Sequence, residues 1–206
     1  MAGWNRRMVS EKSKERNKMK KRWIILSGFV VGILFCSLVP LLLLATSAIN
    51  MGADMTPGLM ERTLAPWALD VSVEKRAPKT ENPYAGNPTA IATGFGLYRG
   101  NCVICHGAPG VSGANLSMGI QPPAPLLGYK GDDTPDWQLF WFTLHGIRMT
   151  AMPAFGPTLT DEHIWKIVAF IRHMPDLTAQ ERDSLQAATA EDAPPAGAET
   201  QAPPAN

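Results

Sequence analysis

A ten-residue stretch from Asn101 to Gly110, NCVICHGAPG, holds two of the chain's three cysteines and one of its four histidines. Cys102 and Cys105 lie three positions apart, so one turn of helix would bring both thiols to the same side. Two thiols at that spacing can add to the two vinyl groups of a porphyrin as thioethers, and the adjacent His106 can then ligate the iron. The Cys-x-x-Cys-His pattern therefore predicts covalent attachment of one haem c.

Three other chemistries use closely spaced cysteines. A disulfide between Cys102 and Cys105 suits an exported domain, but it closes a small ring and gives His106 no role. A zinc site needs four ligands, and the sequence has neither a second Cys-x-x-Cys nor a closely spaced pair of histidines. Thioredoxin-like redox chemistry is expected in a βαβ context, which the sequence does not predict. Haem attachment is therefore favoured over all three.

The iron of such a haem also needs a ligand on its opposite face, and the segment RMTAMPAFG offers two methionines. We favour Met152, because Pro153 stiffens the loop that carries its thioether and Phe155 can cover the haem edge. Ordinary core packing is the alternative interpretation of this methionine. Met149 and His145 remain rival ligands, although the position of His145 beside a glycine at a helix end is better explained by capping.

Helix start and stop signals predict three helices around these residues. Asn87 and Thr134 each precede a proline and Thr160 precedes two acidic residues, as is typical of helix N-caps. Gly94 and Gly96 lie inside the first helix, where each costs about 1 kcal/mol relative to alanine, so at least one should admit a closely approaching backbone. No segment alternates as a strand, which predicts an all-α fold. The expected helices span residues 87–102, 134–146 and 160–175.

The segments GFGLYRGNCVICHG and RMTAMPAFGPTLTDEHIWKIVAFIRHMP resemble class I cytochromes c over residues 89–175. The resemblance implies the cytochrome c fold, with about three core helices around one covalent haem. It assigns Gly94 and Tyr98 to the seam between the first and last helices, opposite the aromatic residue Phe170. The Met-Pro pair that follows the aromatic helix in this family corresponds to Met152 and Pro153.

The family also has a proline whose carbonyl accepts a hydrogen bond from the ligating histidine and orients its ring. Pro122, Pro123 and Pro125 compete for that role toward His106, and we favour Pro125. The aromatic helix is expected to shield the haem from water, with Trp141 among the cofactor-binding residues.

A second feature is the uncharged segment from residue 23 to residue 50, which follows nine Lys/Arg and two Glu in residues 1–22. Its apolar part is long enough to cross the roughly 30 Å of a bilayer's hydrocarbon core. Pro40 is tolerated in membrane helices. The basic residues favour a cytoplasmic N-terminus and an exported remainder. A cleaved secretory signal is the alternative.

Five segments are therefore predicted. They are a basic cytoplasmic tail (1–22), a transmembrane helix (23–48), a membrane-proximal connector with a short helix near its middle (49–88), the cytochrome c domain (89–178) and a disordered, acidic Ala/Pro-rich tail (179–206).

These features together predict one-electron transfer by a single-pass protein of the bacterial inner membrane, with its haem domain in the periplasm. Methionine ligation leaves the iron no open position and raises its potential. The protein is expected to act as a tethered mobile carrier or as the haem subunit of a respiratory or photosynthetic complex. Its partners would be redox proteins and, through residues 23–48, membrane lipid, with no nucleic acid. A haem enzyme or gas sensor with an open sixth position is the alternative.

Overall fold

The computed structural model describes residues 2–46, 50, 52–129 and 133–190. Within these residues the chain is helical, and its single β-bridge joins Ala108 to Val111, so the all-α prediction is confirmed. The chain divides into two compact units, residues 1–52 and 53–206. The helices are α1 (Ala2–Ala45), α2 (Leu59–Arg76), α3 (Pro88–Asn101), α4 (Val103–His106), α5 (Asp136–His145), α6 (Asp161–His173) and α7 (Ala179–Ala190).

The first unit consists of α1, which runs through both the basic tail and the apolar segment. Its part from Glu15 to Ala45 is long and apolar enough to cross a membrane, by length and composition. Hydroxyl groups in this part bond to the helix's own backbone, as Ser37 does to the Ile33 carbonyl at 2.8 Å. Such bonds satisfy the hydroxyl hydrogens within the helix itself, which is the pattern that a membrane span requires. Residues 47–49, which include the last two positions of the predicted span, lie outside the described residues.

The second unit is organised by the crossing of α3 and α6. A Cβ built on Gly94 would meet the Lys166 carbonyl, with its carbon at 2.7 Å, and the Phe170 Cβ at 2.9 Å. The two backbones are therefore in direct contact at this glycine. The Phe170 ring lies 5.4 Å from the rings of both Phe95 and Tyr98, measured between centroids, and both Tyr98 and Phe170 are fully buried.

The N-terminus of α5 differs from the prediction by one position. Pro135, not Thr134, is the N-cap residue, and Asp136 begins the helix without a side-chain cap. Arg172 of α6 holds this end of the helix, because its guanidinium donates to the Thr134 carbonyl and pairs with Asp136 at 2.7 Å. The α3 and α6 caps are as predicted: the Asn87 and Thr160 side chains accept backbone N–H bonds.

The predicted connector is wrong in its second half, which belongs to the folded unit. Helix α2 extends over 18 residues, and Val73 near its end is fully buried. Beyond the helix, Asn82 is buried and its side-chain amide donates to the Trp165 carbonyl at 3.1 Å. Only residues 46–58 therefore separate α1 from the helices of the second unit.

The predicted disorder after residue 178 is also wrong for Ala179–Ala190, which forms α7 and packs against α3 and α4. Thr178 and Glu181 make a capping box: the Thr178 hydroxyl accepts from the Glu181 N–H at 3.2 Å, and the Glu181 carboxylate accepts from the Thr178 N–H at 2.8 Å. Leu185 is fully buried in the core. Residues 191–206 lie outside the described residues.

Candidate haem-binding site

The Cys-x-x-Cys-His motif lies at the junction of α3 and α4. Cys102 ends α3, with its N–H donating to the Tyr98 carbonyl at 2.8 Å, and its own carbonyl begins the next turn. The N–H groups of Cys105 and His106 both donate to that carbonyl, at 3.1 and 2.9 Å. A single helical turn therefore carries both cysteines and the histidine, as the spacing predicted.

The turn after His106 depends on a glycine. Gly107 has φ +59°, and a Cβ there would collide with the Val111 carbonyl, so no side chain fits. The loop then closes through two bonds between Ala108 and Val111, at 2.9 and 2.8 Å. Tyr98 links this loop to α3, since its hydroxyl donates to the Gly107 carbonyl at 2.7 Å. Burial raises the pKa of Tyr98 well above that of a free tyrosine, so this hydroxyl stays protonated and can donate.

The orientation of the His106 ring is set by Pro125. The ring Nδ1 lies 2.8 Å from the Pro125 carbonyl oxygen. Because a carbonyl can only accept, Nδ1 must carry the proton and Nε2 keeps a free lone pair. Burial lowers the pKa of His106, while the bond to Pro125 opposes that shift. The neutral tautomer that ligates iron through Nε2 is thus the one the structure favours.

Cys102 and Cys105 are free thiols, the former buried and the latter half-buried. Burial raises the pKa of Cys102 to about 12, with a smaller contribution from Cys105, and burial raises the pKa of Cys105 as well. Each is therefore protonated at neutral pH, and such a thiol could add its sulfur and its hydrogen across a vinyl group. No group of three or more His, Cys, Asp or Glu residues suitable for a metal ion occurs in the part of the chain that the structure describes.

The loop that carries Met152 folds back on the end of α5. The Met152 carbonyl accepts a hydrogen bond from the Ile147 N–H at 3.1 Å. The Met152 N–H donates to the Thr150 hydroxyl at 3.1 Å. Gly146, with φ +65°, makes this possible, because a Cβ there would lie 2.8 Å from the Met152 carbonyl oxygen. The backbone around Met152 is therefore fixed in position.

The rival ligands have different surroundings from Met152. Met152 is partly buried, whereas Met149 is 86% exposed and has φ +61°. His145 is exposed at the last position of α5, with its ring 4.9 Å from that of Trp141. Trp141 itself is partly buried. The roles of these residues toward a bound haem stay predictions.

One buried group in the chain segment between His106 and Pro125 was not singled out by the sequence. The side-chain oxygen of Gln121 is buried and has no hydrogen-bond partner among the described residues. It lies in the segment that leads from α4 to Pro125. Glutamine is common in surface loops, so no sequence signal marks this position.

The donor set fits a covalently attached haem. The His106 imidazole has its Nε2 free, and the protonated thiols of Cys102 and Cys105 lie on the same helical turn. The Met152 thioether is carried on a loop whose backbone is hydrogen-bonded to the end of α5. The four side chains that would hold the group are Cys102, Cys105, His106 and Met152.

Comparison with known proteins identifies a class I c-type cytochrome domain in this chain. The matching family model, which covers residues 89–171, is described as cytochrome c oxidase, cbb3-type, subunit III. A relative from Thauera butanivorans, 1-butanol dehydrogenase (cytochrome c), is 44% identical over 86 residues. The aligned part covers 41% of this chain and only 11% of that dehydrogenase. No solved structure matches significantly. A cytochrome c domain implies electron transfer and covalently bound haem c.

Proposed function

We propose that this chain is a membrane-anchored monohaem cytochrome c that passes single electrons on the periplasmic side of the bacterial inner membrane. The observation that carries the proposal is the hydrogen bond between His106 Nδ1 and the Pro125 carbonyl. It leaves the Nε2 lone pair free to ligate iron, one residue after Cys105. A disulfide has no need of such an oriented imidazole, and a zinc site needs four ligands, whereas no cluster of three or more His, Cys, Asp or Glu suited to a metal ion occurs among the described residues.

In this proposal Cys102 and Cys105 would hold the porphyrin through thioethers, and His106 and Met152 would ligate its iron. A haem held in this way supplies reversible one-electron chemistry between Fe(II) and Fe(III). The protein's part would be to supply both protein ligands to the iron and to keep water away. Met152 suits this role because its loop is bonded to the end of α5 and a soft sulfur ligand raises the potential.

The anchor in this proposal is the apolar part of α1. The nine basic residues before it favour a cytoplasmic N-terminus, so the haem domain faces the periplasm. The segment between α1 and α2, residues 46–58, limits the reach of the domain to about 45 Å even when fully extended. The domain therefore works close to the membrane, as a short-range tethered carrier or as the haem subunit of a dehydrogenase or oxidase complex.

Spectra of the holoprotein test the proposal. The full chain is expressed in a host competent for cytochrome c maturation, and intact mass is expected to show one covalent haem. The oxidised protein is expected to show the sulfur-to-iron charge-transfer band of methionine ligation, and the reduced protein to bind carbon monoxide slowly. A bare polypeptide mass contradicts the proposal. Rapid carbon monoxide binding with no charge-transfer band favours instead a haem enzyme or gas sensor.

The same preparation separates carrier from subunit. Extraction in mild detergent followed by size analysis is expected to give a stable complex with other redox subunits if the chain is a fixed subunit. A tethered carrier is expected to migrate alone.

A further inference from the structure

Helix α2 carries a row of exposed apolar side chains. Met60, Leu64, Trp67 and Val71 follow one another at intervals of four, three and four residues, which places them on one face. Met60 and Trp67 are 72% and 64% exposed, and Leu64 is 50% exposed. Such a continuous row marks an interaction surface rather than scattered surface hydrophobes. We refer to these four residues as the α2 stripe.

The stripe points away from the folded domain. At about 100° per residue, Val73 lies on the opposite side of the helix from Val71 and its row, and Val73 is fully buried. In the first half of α2, Arg62 lies on the same side as Val73 and is exposed. The domain therefore holds the end of α2 by one face and leaves the stripe without cover.

We propose that the α2 stripe lies in the interface of the lipid bilayer, so that α2 is a surface helix parallel to the membrane. The inference rests on the membrane anchor proposed above. Only residues 46–58 join α1 to α2, and this segment spans at most about 45 Å. The bilayer is therefore the one apolar surface that this connection always keeps within reach of α2.

The chemistry of the stripe fits this occupant. Trp67 lies at its centre, and tryptophan is enriched at the level of the lipid headgroups. Glu74 and Lys75, one helical turn beyond Val71, lie at the two edges of the row on a helical projection, and both are exposed. That arrangement, apolar in the middle and charged at the edges, is typical of helices that lie in the interface plane.

Tethering removes the need for high affinity. An anchored segment experiences an effective concentration on the order of millimolar, so weak insertion of four side chains suffices. The consequence for function is orientation, because a domain held by both its anchor and α2 presents a restricted set of faces to redox partners.

Nitroxide labelling of the full-length holoprotein tests the proposal. Cys36→Ser removes the thiol within α1, and the attachment thioethers leave no other free thiol. Leu64→Cys then places a label on the stripe, and Arg62→Cys places the matched control on the opposite, exposed face. The protein is reconstituted in vesicles of phosphatidylethanolamine and phosphatidylglycerol. Collision rates of each label with oxygen and with a water-soluble nickel chelate are measured.

The oxygen-to-nickel ratio is expected to be several-fold higher at position 64 than at position 62. Equal ratios at the two positions would place the stripe in water and overturn the proposal. A label at 64 that is shielded from both reagents would indicate a second copy or a protein partner, and overturns it as well. Release of the protein by alkaline carbonate would refute the anchor and, with it, the lipid contact of α2. Haem attachment is scored separately, by intact mass.

Discussion

Replacing Gly94 with alanine is expected to force α3 and α6 apart. The new Cβ would lie 2.7 Å from the Lys166 carbonyl carbon and 2.9 Å from the Phe170 Cβ, whereas carbon atoms pack at about 3.5–4.0 Å. The helices would have to separate by about 1 Å. Because the atoms that the new Cβ meets are mainly backbone and cannot move aside, we expect the loss of unfolding free energy to lie at the upper end of the range for overpacked cores, about 3 kcal/mol. Alanine's higher helix propensity returns about 1 kcal/mol, which leaves a net loss of about 2 kcal/mol.

Gly96, two residues further along the same helix, provides the control. A Cβ at Gly96 has no neighbour within 4 Å, and the residue is exposed. Gly96→Ala is therefore expected to raise the free energy of unfolding by about 0.5–1 kcal/mol. Urea denaturation of both holoproteins, followed by far-UV circular dichroism, measures the difference, about 3 kcal/mol in total. A Gly94→Ala protein as stable as the wild type would refute the close-approach argument.

Three further outcomes are expected. Met152→Ala should lower the reduction potential and open the iron to carbon monoxide. The control Met149→Ala should change neither property. Unchanged spectra in Met152→Ala would transfer the ligand role to Met149 or His145. Tyr98→Phe leaves the buried Gly107 carbonyl without its donor and should cost about 1–3 kcal/mol of unfolding free energy, as measured by denaturation. Thr178→Ala removes the capping box and should cost about 1 kcal/mol, with faster amide hydrogen exchange in α7 than in α6; equal protection would contradict that role.

The helix boundaries show where local signals are sufficient. Asn87 and Thr160 cap their helices as predicted, because a side chain that bonds the next free N–H groups acts within four residues. Thr134 failed in that role by one position, since Asp136 is held instead by Arg172, a residue 36 positions away. Local chemistry thus predicts where helices begin, until a distant partner competes for the same end.

The two corrected segments had weak local signals for burial. Helix α7 has one large buried side chain, Leu185, among alanines and polar residues, so its composition is like that of a disordered segment. The one local signal for a helix is the capping box of Thr178 and Glu181 at its start. The end of α2 is buried because Val73 and Asn82 find partners in the domain. A single apolar residue can be fully buried when the surface it meets is already formed.

The sequence by itself determined the attachment motif and the close approach at a helical glycine. Both depend on residue type and on spacing within one helical turn, which a local reading captures. Residue spacing alone left open which glycine meets α6 and which carbonyl reaches His106. The family resemblance pointed to Gly94 and we favoured Pro125, and the tertiary structure selects Gly94 rather than Gly96 and Pro125 rather than Pro122 or Pro123. The physical reason is that each choice depends on the distance between atoms far apart in the chain, and that distance exists only once the helices have packed.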